Sequence, residues 1–99
     1  MVRGTTPIHT FSTNTEHLGK HRVYVTYKQD GRTIVEKTNE DMRISRDKIL
    51  ITLTQAETLR FKANRPVEIQ ARYVDKYGMA CASNIVTTTV GEVLKGGII

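Results

Sequence analysis

His21-Arg22-Val23-Tyr24-Val25-Thr26-Tyr27-Lys28, then Asp30-Gly31, then Arg32-Thr33-Ile34-Val35-Glu36-Lys37-Thr38 is the passage that settles the architecture. In its first half Val23, Val25 and Tyr27 alternate with Arg22, Tyr24, Thr26 and Lys28. An extended chain points successive side chains to opposite faces, so this pattern reads as a strand with one face in a core. The residues are mostly β-branched or aromatic, which suits a pleated, half-buried surface. Asp-Gly between two such runs supplies the positive φ angles of a tight two-residue turn, so the passage predicts an antiparallel hairpin.

The same period extends outward. Residues 7–13 alternate Ile8, Thr10 and Ser12 against His9, Phe11 and Thr13, with Pro7 suited to a strand start or edge. Residues 42–45 and 49–53 predict a second hairpin around the polar turn Arg46-Asp47, with Ile49, Ile51 and Leu53 on one face. Thr54-Gln55-Ala56-Glu57 breaks the period. It has the form of a capping box, Thr at the N-cap and Glu at N3, and predicts one to two helical turns stopped by Asn64-Arg65-Pro66. Leu59 and Phe61 are expected to plug one end of the core. Alternation resumes over residues 67–74, turns at Asp75-Lys76-Tyr77-Gly78, and returns over residues 79–90, with a bulge expected near Ser83-Asn84. About seven short strands joined by turns imply an all-β fold, an antiparallel β-sandwich first and a barrel second. Residues 1–99 form one domain in this reading, with an extended N-terminal arm (1–7) and an apolar C-terminal tail (91–99).

Composition narrows the function. A hydrophobic fraction of 38% allows one core, and the one cysteine, Cys81, reads as a small buried hydrophobe. Unpaired cysteine usage fits a reducing compartment. No apolar run approaches the ~18 residues of a membrane span, and the start lacks the apolar stretch of a signal peptide, so a soluble chain made in the cytosol is expected. The net charge of +5 raises nucleic acid as a partner, but the fifteen Lys and Arg are spread along the chain among acids and never form a run of three.

Sites for chemistry are few. Gly96-Gly97 is too short for a phosphate loop, and one cysteine excludes a paired-cysteine zinc site. His17 and His21 have i, i+4 spacing, but Gly19 interrupts them and a strand begins at His21, so they read as solvated loop residues. Thr87-Thr88-Thr89 reads as a strand face, and Glu40-Asp41 is an adjacent pair whose side chains point apart on an extended chain. No catalytic residue, cofactor, metal or small-molecule substrate is expected.

Surfaces remain. The tail carries Val93, Leu94, Ile98 and Ile99, where terminal residues are ordinarily frayed and polar. It either folds back over its own core or docks onto a neighbouring subunit. The arm, with Val2, Arg3, Thr5 and Pro7, has the extended form that lies on a neighbour or adds to a sheet edge.

Three segments carry a resemblance: Val2-Arg3-Gly4-Thr5-Thr6-Pro7, Leu53-Thr54-Gln55-Ala56-Glu57-Thr58-Leu59-Arg60-Phe61 and Ala82-Ser83-Asn84-Ile85. They resemble a group of small proteins encoded by tailed phages and prophages of Gram-positive, often gut-dwelling, bacteria. The resemblance implies an immunoglobulin-like β-sandwich in a virion or virion-assembly protein without catalytic activity, at the head, the head–tail junction or the tail. Its partners would be other virion proteins or copies of itself. It would be made in the host cytoplasm and carried in the virion. Two other readings stand beside it: a phage-encoded inhibitor of a host defence system and a basic nucleic-acid-binding protein. The chain is more basic than that group's expected acidic character.

Overall fold

A computed structural model describes residues 1–13 and 22–99. In chain order the elements are β1 (Ile8–Ser12), β2 (Val23–Gln29), β3 (Arg32–Thr38), a 3-10 turn (Asn39–Asp41), β4 (Arg43–Ser45), β5 (Lys48–Thr52), α1 (Gln55–Thr58), β6 (Pro66–Val74), β7 (Ala80–Ala82) and β8 (Val86–Thr89). Two antiparallel sheets face each other in a sandwich-like, all-β arrangement. One has the order β1-β5-β4, the other β3-β2-β6, with β7 and β8 both pairing β6.

The hairpin forms as its residues require. Gln29 pairs Arg32 across a two-residue turn, and Asp30 and Gly31 take φ values of 54° and 75°. Two positive φ values match the right-handed twist of the flanking strands. The second hairpin also closes over two residues, with Ser45 opposite Lys48, but only the first of them, Arg46, takes a positive φ (54°). Periodicity does not reveal one detail. The β2–β3 register shifts after Tyr27, which pairs Val35, while Lys28 pairs Thr33, so Ile34 is an extra residue in β3.

The core lies between the sheets. β2 and β6 supply Val23, Val25, Tyr27, Val67, Ile69 and Ala71, and β5 supplies Ile49, Ile51 and Leu53 from the opposite side. All are buried, as are Phe61, which closes one end as expected, and Val90. Leu59 is only half-buried. The helical turn carries the expected capping box: the Glu57 N–H donates to Thr54 Oγ1 at 3.1 Å, and the Thr54 N–H donates to Glu57 Oε1 at 2.9 Å.

Residues 79–90 depart from a single strand. They run beside β6 as two pieces, β7 opposite Arg72–Val74 and β8 opposite Pro66–Ile69. At the break Ser83 occupies the ladder twice, its N–H donating to the Ala71 carbonyl (2.9 Å) and its Oγ accepting from the Ala71 N–H (3.0 Å). The side chain thereby satisfies a backbone donor of β6 where the partner strand turns away. The eighth strand comes from this interruption. Cys81 is half-buried on β7, at the sheet's periphery and not in the core, because it pairs Tyr73 near the end of β6.

The turn provides a clean test of backbone strain. A methyl group at Gly31 would meet nothing within 4 Å, so Gly31→Ala changes only the cost of holding a positive φ. That cost is about 1–2 kcal/mol. Chemical denaturation of this variant is expected to show that loss, while Gly96→Ala, equally open and without positive φ, stays within about 0.5 kcal/mol of the parent.

Candidate functional site

The arm lies along its own chain. Val2 makes a parallel bridge to Gly91; the Arg3 N–H donates to the Gly91 carbonyl at 3.1 Å, and the Gly91 N–H donates to the Met1 carbonyl at 2.7 Å. The Arg3 guanidinium reaches two groups, Glu92 Oε1 at 2.8 Å and the Leu59 carbonyl at 3.1 Å. Thr5 Oγ1 donates to the Val2 carbonyl, and the Thr5 carbonyl accepts from Thr58 Oγ1 at 2.9 Å. The Pro7 carbonyl accepts from the Leu53 N–H at 3.1 Å. Arg3, Thr5 and Pro7 thus direct polar groups into the chain, although among the described residues Arg3 Nε is buried without a hydrogen-bond partner.

Residues 91–99 meet the arm at α1. Val93 and Leu59 come close around Gly4, whose φ is 75°. Further on, the backbone of Ile99 is bound by the Gln55 amide, its N–H donating to Gln55 Oε1 at 2.9 Å. The two surfaces singled out in the sequence therefore form one region, built on α1. Within it the apolar side chains are not covered: Leu94 is fully exposed, Ile98 67% and Ile99 89%, and Val2 is exposed as well.

A second apolar feature was not visible in the sequence. Among the described residues β1 pairs only β5, and β8 pairs only β6, so one side of the sandwich has two unpaired edges. Between them runs a cleft of about 470 Å³ lined by Ile8, His9, Phe11, Ile69 and Val86 among others. Ile8 is 64% exposed and Val86 48%. The available signal was Ile8 itself, an apolar side chain on the β1 face opposite Phe11. Val86 gave no such signal, because the break before β8 hides its phase. None of residues 94–99 lines this cleft.

His9 also borders the cleft, with its Nδ1 2.7 Å from the phenolic oxygen of Tyr27. Tyr27 is wholly buried, and burial together with the charge of Glu57 pushes its pKa far up. The phenol therefore keeps its proton, and that buried proton needs an acceptor. Nδ1 of a neutral imidazole supplies one, leaving the ring hydrogen on Nε2. Burial in turn holds the His9 pKa below its ordinary 6.5.

The chain matches no protein-family model, no curated protein and no solved structure. Among the described residues no group of three or more His, Cys, Asp or Glu is placed to hold a metal ion. The spaced histidines His17 and His21 lie outside the described residues. Thr87, Thr88 and Thr89 lie on β8, as expected of a strand face. Among the described residues no helix is long and apolar enough to cross a membrane.

The His9–Tyr27 contact has a definite pH signature. A base whose folded pKa lies below its unfolded value stabilises the fold fully above the unfolded value, about 6.5, and loses that contribution as pH falls from there through the folded pKa. The stability measured by denaturation at about pH 8 is expected to exceed that at about pH 5. His9→Gln, which keeps a hydrogen-bond acceptor but cannot titrate, is expected to flatten the part of the slope that lies between these pKa values.

Proposed function

We propose that this chain is a non-enzymatic phage virion module, made in the host cytoplasm, that works by packing against other copies of itself. The observation that carries this reading is the uncovered apolar row Leu94, Ile98 and Ile99 on a segment whose far end is tied to α1 through Gln55. Among the described residues the same molecule presents an apolar cleft between two unpaired strand edges. An apolar segment on one copy and an apolar cleft on the next are complementary and occupy different parts of the surface. Such a head-to-tail contact closes into a ring or continues as a stack. Unpaired edges also offer backbone donors and acceptors to an incoming extended segment.

The virion setting rests on the resemblance of the three segments quoted above and on nothing in the geometry. Within that setting the exposed edges are an asset, since an assembly protein needs the pairing that a monomer must suppress. Arg3, Thr5 and Pro7 act in this reading by fixing the arm and the 91–99 segment to α1, and Val2, Leu94, Ile98 and Ile99 make the contact.

Size-exclusion chromatography with light scattering is expected to give a discrete oligomer. Leu94→Lys with Ile98→Lys, and separately Val86→Lys, are expected to weaken association by at least about tenfold, the scale of an interface anchor. A parent protein that stays monomeric at high concentration overturns self-packing. Mass spectrometry of purified virions tests the setting: a defined copy number supports it, and absence from the particle removes it.

A further inference from the structure

The charge that looks dispersed in the sequence gathers at one end of the molecule. The β2–β3 turn and the loop after α1 enclose a concavity of about 370 Å³, whose lining among the described residues includes Arg32, Arg60, Lys62 and Arg65 with Asp30 as its one acid. Four cations against one carboxylate give a local +3, set against +5 for the whole chain. Asp30 is engaged by Arg65 at 2.7 Å and more loosely by Lys62 at 3.8 Å. Among the described residues the guanidinium groups of Arg32 and Arg60 have no side-chain partner, and both residues are exposed.

The frame that holds these cations is rigid. Gln29, almost wholly buried at the end of β2, donates through Nε2 to the Lys62 carbonyl (2.8 Å) and the Arg65 carbonyl (3.3 Å) and accepts from the Lys62 N–H (2.7 Å). The Asn64 N–H donates to the Val90 carbonyl at 2.8 Å. The loop carrying Lys62 and Arg65 is thus fastened to both the hairpin and the end of β8, so little backbone ordering is left for a ligand to impose.

We infer that this basic end binds the phosphate backbone of a nucleic acid without reading its sequence. Unpartnered guanidinium groups around an open concavity suit phosphate oxygens, which accept their forked donors. Among the described residues its lining holds no aromatic side chain to stack on bases. The result is electrostatic, sequence-independent binding, with a dissociation constant in the ~10⁻⁴–10⁻⁶ M range at physiological salt. The site is independent of the apolar surfaces above.

The test is fluorescence anisotropy of the full chain with a labelled single strand and a labelled duplex between about 50 and about 200 mM salt. Binding is expected to weaken steeply with salt, and Arg32→Ala with Arg60→Ala to lower the slope of log affinity against log salt by about 1.8 on the duplex and about 1.4 on the single strand, near 0.9 and 0.7 per lost contact. Asp30→Asn is expected to tighten binding, because it removes the competing carboxylate while Asn-Gly still suits the turn. No binding at the lowest salt, no effect of the Arg pair, or an equal effect from Arg43→Ala with Lys48→Ala on the other sheet would each overturn the inference. Displacement by inorganic phosphate beyond its ionic-strength effect would also overturn it, by marking a single-anion site.

Discussion

The hydrogen bond between Tyr27 and His9 is the contact on which the rest of the sandwich turns. Tyr27 projects from β2, an inner strand of the larger sheet, and its hydroxyl finds an acceptor on β1, an edge strand of the smaller one. Its ring also lies 6.2 Å from that of Phe61, centroid to centroid, so the loop after α1 packs on the same side chain. A large buried aromatic contributes most through the area it removes from water, but a buried phenol without a partner would lose much of that gain. His9 satisfies the hydroxyl and fixes how β1 sits against β2. Two residues along, on the same face of β2, Gln29 performs the matching task for the loop at the basic end.

α1 is too short to hold itself. Helices of a few residues owe their stability to contacts outside their own hydrogen bonds. Here Lys37 reaches Glu57 at 2.8 Å, a largely buried ion pair with side chains 11% and 17% exposed. Burial alone would raise the Glu57 pKa. The hydrogen bonds from Lys37 and from the Thr54 backbone outweigh it, and the carboxyl sits below its usual range. An ionised Glu57 then serves three neighbours: it closes the capping box, pairs Lys37, and helps keep the Tyr27 phenol protonated. Since Arg3, Thr5 and Ile99 all bind groups on or beside α1, this ion pair also sets where the arm and the apolar segment lie.

Local chemistry was legible in the sequence, and assembly between distant segments was not. The Asp30-Gly31 turn, the Thr54–Glu57 capping box and the inward face of β5 each depend on residues within a few positions of one another, and each formed as read. The slip in alternation near Ser83 was visible. That it ends one strand and starts another depends on Ala71, whose backbone Ser83 satisfies from across the sheet. Lys37 gave no sign of facing inward, because the extra residue Ile34 resets the phase of β3 only once β3 is paired. For the candidate surfaces, composition marked 91–99 as apolar, but its meeting with the arm at α1 required the fold.

The basic end shows the same limit most clearly, and it changes how the charge should be understood. Arg60, Lys62 and Arg65 lie within six consecutive residues, but Arg32 belongs to a hairpin two strands and a helical turn earlier, so no short window of sequence contains all four. A local +3 on one small domain is a weak ligand for a polyanion, because each phosphate contact adds only one increment of counterion release. Repetition changes that. If copies pack head to tail through their apolar surfaces, each brings an identical basic end, and contacts made by successive copies along one strand become intramolecular after the first. Weak sites then add into strong binding without any new contact within a copy. Coupling of this kind would make affinity for nucleic acid depend on the state of assembly, so that a monomer holds it loosely and an oligomer tightly.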